Sequence, residues 1–196
     1  MTRFVTAFNF FQVADMYPDI TKNNIVIYDA NHEFEPGDIL ILEGGTDINP
    51  SIYGEKKERY TQYPDTQRDE IEVELFNKAV FAGIPILGIC RGAQLACALS
   101  GGKLIQHIKG HTQSHEVITD NDEIYTTSSC HHQAMDLTSR ESFPFEMVAW
   151  SIEDNCPEIV FFNDTKCLAI QGHPEFMNMS DPFVGYTEQL IKEYLL

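Results

Sequence analysis

The segment Gly88–Gln94, which reads Gly-Ile-Cys-Arg-Gly-Ala-Gln, contains the residue types best suited to covalent chemistry. A short apolar run ends at Cys90 and a helical pattern begins at once, so the thiol would stand at a strand–turn–helix elbow, as the nucleophiles of many hydrolases do. Gly88 and Gly92 would let this turn close without a Cβ clash. A helix N-terminus favours the thiolate, which predicts a Cys90 pKa below its usual value of about 8.5, and its amides could stabilise an oxyanion.

A second segment, Gln171-Gly172-His173-Pro174-Glu175, supplies the partners that such a thiol needs. A nucleophilic thiol requires an imidazole to hold its proton and a carboxylate to orient that imidazole. His173 and Glu175 follow an apolar run, at the carboxyl end of a predicted strand, where open α/β sheets place their ligands. Considered alone, Cys90 could equally be a small buried residue that packs the helix against the strand. The two segments together predict a Cys–His–Glu hydrolytic site.

The elements that must position these residues alternate along the chain. Short, continuous apolar runs are typical of strands buried on both faces of a parallel sheet, and they occupy residues 25–28, 39–42 and 84–89. Helical patterns occupy residues 69–80 and 91–99 and a last helix that opens at Ser180-Asp181-Pro182. In residues 69–80 the apolar side chains form one stripe, and the acids are expected on the other side of the helix. Shorter strand candidates follow at residues 115–118, 123–126, 145–150, 159–162 and 167–170. This order predicts an α/β fold with a doubly wound, mostly parallel sheet, in a single domain over residues 1–196.

Composition limits the classes of partner. The 196 residues include 13 Lys and Arg against 30 Asp and Glu, a formal net charge of −17, which would repel nucleic acid and anionic membranes. No apolar run approaches the roughly 20 residues of a membrane span, and the N-terminal residues lack the apolar centre of a signal peptide. The five scattered cysteines are too few for a disulfide framework. We therefore expect a cytoplasmic protein with neither a nucleic-acid nor a membrane partner.

A spacing of four residues between His107, His111 and His115 leaves zinc binding on a helix as an alternative reading. The segment Cys130-His131-His132 is also rich in potential ligands. Gly110 interrupts the first segment and favours a loop, so we expect neither a metal nor a cofactor. The remaining cysteines are expected to be core or incidental residues: Cys97, Cys130, Cys156 and Cys167.

Together, the segments around Cys90 and His173 resemble the class I glutamine amidotransferases. Three further segments narrow the resemblance to the γ-glutamyl-γ-aminobutyrate hydrolase branch, peptidase family C26. They are Glu43–Glu55, which follows the pattern G-G-x-D-x-x-P-x-x-Y-G-E, Arg68-Asp69 followed by Glu72 or Glu74, and His131-His132-Gln133. The resemblance covers roughly residues 38–110, 128–134 and 157–176. Gly172, where many relatives carry tryptophan, and the compact N-terminal section resemble the short amidotransferase-like proteins of tailed phages.

This resemblance implies a flavodoxin-like fold and hydrolysis of γ-glutamyl amides through a γ-glutamyl thioester. It implies that Cys90 is the nucleophile, His173 the general base and then acid, and Glu175 the orienting carboxylate. It also implies an oxyanion hole made by the backbone N–H groups of Gly45 and Arg91. The substrate-binding positions that it implies are Gly44, Gln94, His131 and His132, with simple packing as the alternative for the two histidines.

Three functions stay open at this point. The chain could act alone on a small γ-glutamyl substrate, either glutamine or a γ-glutamyl amine. It could instead be a glutaminase subunit that supplies ammonia to a separate synthetase. A third alternative is a non-catalytic acidic protein that binds a basic partner. Self-association as a homodimer is also left open.

Overall fold

The computed structural model describes residues 2–8, 13–17, 20, 25–27, 33–138 and 144–196. Its strands are β1 Arg3–Thr6, β2 Ile25–Ile27, β3 Asp38–Leu42, β4 Ile86–Ile89, β5 Lys103–Ile105, β6 His115–Thr119, β7 Ile124–Thr127, β8 Ala134–Asp136, β9 Phe145–Ser151, β10 Pro157–Phe162 and β11 Cys167–Ile170. Its α-helices are α1 Thr66–Ala82, α2 Arg91–Leu99 and α3 Pro182–Leu195, and 3-10 turns occupy Val13–Met16, Pro50–Tyr53 and Pro174–Phe176. None of the helices in these ranges is long and apolar enough to cross a bilayer.

Nine of the strands form one sheet in the order β2-β1-β3-β4-β11-β10-β9-β6-β7. The first five are mutually parallel, and the last four continue the sheet in antiparallel pairs. A separate pair, β5 with β8, lies beside it. The mostly parallel α/β architecture predicted from the alternating pattern is therefore confirmed, and β4 and β11 lie side by side at its centre.

The core has two layers, one on each face of the sheet. Along β3, Ile39 and Ile41 pack into the layer that contains α3, whereas Leu40 and Leu42 pack into the layer that contains α1 and α2. Successive side chains of a strand point to opposite faces, so a continuous apolar run fills both layers. Helices thus cover both faces of the parallel half, and the carboxyl ends of β3, β4 and β11 are left open at one edge.

The predicted strands agree with the observed ones to within about two residues, although Tyr28 of the predicted 25–28 strand lies outside the described residues. Three strands were missed: β1, β5 and β8. Each is only three or four residues long, which is too short for a period of two to be distinguished from chance.

One expectation about α1 was wrong. The periodic pattern placed its acids on the solvent side of the helix, but Asp69 and Glu72 are buried and bind the guanidinium group of Arg91. Arg68 also pairs with Glu72. The family pattern could be completed by either Glu72 or Glu74, and of these Glu72 is buried and Glu74 is exposed. Burying two arginines requires buried counter-charges, and these acids supply them.

Candidate active site

Cys90 occupies the turn between β4 and α2. Its φ of 50° and ψ of −106° form a backbone conformation that residues with a Cβ rarely adopt. The turn is held on both sides, since the Cys90 N–H donates to the Ile170 carbonyl at 2.8 Å and the Gln94 N–H donates to the Cys90 carbonyl at 3.0 Å. The predicted elbow is therefore present, with the thiol at the open edge of the sheet.

We expect the Gly92→Ala substitution to destabilise the protein, because a Cβ at this position would lie 2.0 Å from the Leu42 carbonyl oxygen. That oxygen belongs to the backbone of a central strand and cannot move without distorting the sheet, so the free energy of unfolding should fall by about 1–3 kcal/mol. Urea unfolding would measure this. Gly185→Ala in α3 is the matched control, since its new Cβ would meet no atom within 4 Å and should stabilise the helix by about 0.5–1 kcal/mol. Equal effects of the two substitutions would contradict the packing argument.

His173 follows β11 and is oriented by three contacts. Its Nδ1 lies 2.7 Å from Glu175 Oε1, and both side chains are buried. Its ring stacks on Phe176 with 4.6 Å between ring centroids, and its Nε2 lies 3.2 Å from the sulfur of Cys130. A carboxylate on one ring nitrogen and a thiol on the other is the arrangement that proton transfer to and from sulfur requires.

The pKa of His173 is raised above its usual value of about 6.5. Burial by itself would lower this pKa, but the hydrogen bond and charge of Glu175 oppose burial, and the Cys130 sulfur adds to them. The imidazole of His173 is therefore protonated more readily than that of an equally buried histidine without these partners. Such a ring can donate a proton to a leaving group.

Cys130, expected to be incidental, is an exposed residue of the site, so this expectation was wrong. It was missed because its segment joins the site through a long-range bond, from the His173 N–H to the Ser128 carbonyl at 2.9 Å. Accepting a hydrogen bond from Cys90 lowers the pKa of Cys130 to about 6, and His173 acts in the same direction against partial burial.

The prediction of a lowered pKa for Cys90 was also wrong. Its hydrogen bond to Cys130 and its burial raise this pKa well above the usual value, while the Arg91 N–H acts in the opposite direction. The two sulfurs are joined by this hydrogen bond, so they titrate as a pair rather than as independent thiols. The helix N-terminus contributes the Arg91 N–H, which lowers the pKa of Cys90, but the Cys130 hydrogen bond and burial together outweigh it.

Cys90 and His173 open into the same cavity, which has a volume of about 500 Å³. This is within the size range of pockets that hold small molecules. Of the predicted substrate and oxyanion residues, Gly45, Gln94, His131 and His132 also line it. Asp47 and Phe176 line it as well and were not singled out from the sequence.

The loop after β3 is fixed to α1 by the buried side chain of Arg68. Arg68 Nη1 donates to the Gly44 carbonyl at 2.9 Å, and Arg68 Nε donates to Glu72 at 2.9 Å. A Cβ at Gly45 would lie 2.3 Å from Arg68 Nη1, so a larger residue here would have to displace the Arg68 guanidinium group. Gly44 itself does not line the cavity, and the side chain of Arg91 is committed to its buried ion pairs. Any contribution of Arg91 to a substrate therefore comes from its backbone.

The remaining predicted substrate contacts are held in place by the protein. Gln94 Nε2 donates to the Gln133 carbonyl at 3.2 Å, and His131 Nδ1 lies 2.8 Å from the same oxygen. His132 Nε2 lies 3.2 Å from Asp47 Oδ2 at the cavity wall. Both histidines therefore line the cavity and also contact protein groups, and their role as substrate contacts stays a prediction.

Comparison with known proteins identifies the family. The family model described as Peptidase C26 matches residues 27–175, which is more than half of the chain. The chain belongs to the peptidase C26 family.

Curated relatives agree with this assignment. The glutamine amidotransferase-like protein YvdE of Lactococcus lactis is 30% identical over 159 residues, which cover 70% of this chain and 66% of the relative. A Mycobacterium tuberculosis protein, provisionally named a glutamine amidotransferase, is 31% identical over 157 residues, which cover 69% of this chain and 50% of the relative. This peptidase C26 chain thus spans about half to two thirds of the length of these relatives.

Solved structures share the fold. A glutamine amidotransferase from Thermotoga maritima superimposes with a TM-score of 0.65 at 16% identity, covering 98% of this chain and 84% of that one. PurLQS from the same organism gives a TM-score of 0.67 at 16% identity over all of both chains. The peptidase C26 chain therefore has the flavodoxin-like fold of the class I glutamine amidotransferases.

A further sequence relative is the small chain of carbamoyl phosphate synthase from Methanopyrus kandleri. It is 27% identical over 114 residues, which cover 57% of this chain and 31% of that one.

Proposed function

We propose that this chain hydrolyses γ-glutamyl amides, such as glutamine or γ-glutamyl amines, and that Cys90 is its nucleophile. One geometric fact supports this above all: a cysteine at a strained elbow and an oriented His173–Glu175 pair open into one cavity of about 500 Å³. Family membership supports the reaction class. The products would be glutamate and ammonia or an amine.

In the first step, Cys90 Sγ forms a bond to the γ-carbonyl carbon of the substrate. The Cys90 proton passes by way of the Cys130 sulfur, to which Cys90 is hydrogen-bonded, to His173 Nε2, which lies 3.2 Å from the Cys130 sulfur. The carbonyl oxygen becomes an oxyanion, which the backbone N–H groups of Arg91 and Gly45 would stabilise. The Arg91 N–H already faces the Cys90 sulfur, and Gly45 lies at the cavity wall.

In the second step, His173 donates a proton to the leaving nitrogen while the C–N bond breaks and a γ-glutamyl thioester remains. A water molecule then attacks the thioester, with His173 as the base that takes its proton. Glutamate leaves and the Cys90 thiol is restored. Glu175 orients the His173 ring and stabilises its imidazolium form.

A panel of γ-glutamyl amides tests this proposal. The full-length protein would be incubated with glutamine and with several γ-glutamyl amines, and free glutamate would be measured. Release of glutamate from at least one of them is expected, together with covalent labelling of Cys90 by diazo-norleucine. Absence of both turnover and labelling would instead favour a non-catalytic acidic binding protein.

A second candidate function is that of a glutaminase subunit that supplies ammonia to a separate synthetase. Similarity to the small chain of carbamoyl phosphate synthase and to PurLQS favours it. Under this alternative the isolated chain would turn over glutamine slowly, and addition of its synthetase partner would accelerate it. Full activity of the isolated chain on a γ-glutamyl amine would favour independent hydrolysis.

We expect Glu175→Gln to reduce kcat by about 10²–10⁴-fold, because the neutral amide no longer stabilises the imidazolium of His173. Since Glu175 raises the pKa of His173, its loss should lower that pKa. The acid limb of the kcat/KM profile should then move to lower pH, because the free base persists to lower pH. Glu193→Gln, on the exposed face of α3, is the control and should leave both rate and profile unchanged. An unchanged acid limb in Glu175→Gln would contradict the assigned pairing.

A further inference from the structure

Outside the proposed triad, three histidines gather around one buried carboxylate. His111 precedes β6, His115 begins it, His131 follows β7 and Glu158 lies in β10. The sequence suggested a helical array of histidines as a zinc alternative, but these rings come from loops and a strand edge. Their ring centroids are 4.6, 4.9 and 6.5 Å apart, and all four side chains are more than nine-tenths buried.

Each ring presents one nitrogen to the same oxygen atom, Glu158 Oε1. The distances are 3.0 Å from His111 Nδ1, 2.9 Å from His115 Nε2 and 3.8 Å from His131 Nε2. The Cys156 sulfur, another potential ligand, lies nearby: it is within 4.8 Å of a ligand atom of His111 and of a ligand atom of Glu158. The cluster is therefore built from the nitrogen and oxygen donors that zinc-type cations bind.

The opposite nitrogen of every ring is anchored to an acceptor. His111 Nε2 lies 3.1 Å from Asp154 Oδ2, His115 Nδ1 lies 3.2 Å from the Gln113 carbonyl and His131 Nδ1 lies 2.8 Å from the Gln133 carbonyl. A carbonyl only accepts hydrogen bonds, so Nδ1 carries the proton in His115 and His131. Metal-binding histidines are oriented in this same way by carboxylates and backbone carbonyls.

The geometry leaves His131 in an unfavourable position without a cation. In the neutral ring Nδ1 carries the proton that is donated to the Gln133 carbonyl, so Nε2 carries a lone pair and lies 3.8 Å from Glu158 Oε1. Among the described residues, neither His131 Nε2 nor Glu158 Oε2 has a hydrogen-bond partner. A buried ring nitrogen that has no donor and lies next to a carboxylate is costly, and a cation between His131 Nε2 and Glu158 would supply the missing partner.

We infer that His111, His115, His131 and Glu158 form a binding site for a divalent cation of the zinc type. Three imidazoles bound to one tetrahedral zinc, with Zn–N bonds of 2.0–2.1 Å, place their ring centroids roughly 5 Å apart, close to the observed separations. Binding would replace the protons that His111 and His115 share with Glu158 and release them to solvent. A set of three nitrogens and one carboxylate oxygen favours zinc over magnesium or calcium.

A cation bound at this site would stabilise one wall of the cavity. His131 lines the cavity, and the Gln133 carbonyl that anchors its ring also accepts a hydrogen bond from Gln94. A cation at Glu158 would therefore tie this segment to β6 and β10. Because the cation binds only the folded arrangement, it should also raise the unfolding temperature.

Zinc titration of the full chain tests the inference. A double variant, Cys90→Ser with Cys130→Ser, serves as background, because the two cavity thiols could bind zinc themselves. After treatment with a chelator, this protein should bind one zinc ion per chain and unfold at a higher temperature with zinc chloride than without it. Adding His115→Gln or Glu158→Gln should weaken zinc binding at least about tenfold, the loss expected when a ligand or its orienting partner is removed. His107→Gln is the matched control and should bind zinc as the background does.

Zinc binding by the background no tighter than by the His115→Gln or Glu158→Gln protein would overturn the inference, as would an equal loss in His107→Gln. Should the cluster variants fail to fold, cobalt(II) can be added to the background, in which every proposed ligand is intact. Tetrahedral cobalt should absorb visible light and be displaced by zinc, and absence of that band would also overturn the inference. These readouts do not use glutamate release, so they are independent of the proposed hydrolysis.

Discussion

The Cys90→Ala protein is expected to release glutamate at least about 10⁴-fold more slowly than the unmodified protein, down to the background of the assay. Without the sulfur no thioester can form, and the remaining groups could only polarise the substrate carbonyl. The elbow keeps its hydrogen bonds to Ile170 and Gln94, since both use the backbone of residue 90. The loss should therefore appear in kcat, with the circular dichroism spectrum and the unfolding midpoint nearly unchanged.

Cys97→Ala is the matched control, because it removes a buried thiol from the middle of α2 without reaching the cavity. It should retain glutamate release. Cys130→Ala adds a sharper comparison, since this second sulfur also contacts His173. Retained activity in Cys90→Ala together with its loss in Cys130→Ala would show that the wrong sulfur has been assigned as the nucleophile.

The second large effect is on stability. Glu72→Gln should lower the free energy of unfolding by about 3–5 kcal/mol, because it removes a buried counter-charge that two guanidinium groups share. Arg91 is 1% exposed, Glu72 is 2% exposed, and Arg68 is nearly as buried. Asp69 would remain as the partner of Arg91, but the protein would retain more buried positive than negative charge in this network.

Urea unfolding would measure this effect, with Glu74→Gln as the control. Glu74 lies on the same helix, is exposed and pairs with Lys78 at the surface. Its substitution should change the free energy of unfolding by less than about 1 kcal/mol, as for other surface ion pairs. Similar small losses for Glu72→Gln and Glu74→Gln would mean that the buried network does not stabilise the fold. Because Arg68 also binds the Gly44 carbonyl, Glu72→Gln should reduce glutamate release as well.

Most of the architecture could be predicted from local patterns. The apolar runs of β3, β4 and β11 are continuous because both faces of those strands are buried, and this is legible in a few residues. The elbow could be predicted because a strand, a glycine frame and a helix start meet at Cys90. His173 and Glu175 are two positions apart, so their 2.7 Å contact needed little beyond the local turn.

The inward acids of α1 could not be predicted this way. In a one-dimensional pattern a buried Glu72 and an exposed Glu74 look alike, because both interrupt the apolar stripe. Only the position of Arg91, which α2 brings from a distant part of the chain, distinguishes them. A buried charge is tolerated only where an opposite charge lies next to it. Whether one does depends on how the two helices pack and not on the sequence of either segment.

The residues of the chain by themselves thus specify the order of elements, the elbow and the chemical types gathered at its open edge, since these depend on short-range periodicity and backbone preference. They do not specify that Cys130 lies beside both Cys90 and His173, or that His111, His115 and His131 meet at Glu158. Proton affinities and ligand sets depend on burial and on distances of a few ångströms between segments that are far apart in the chain. Those distances exist only once the sheet and its two helical layers have packed.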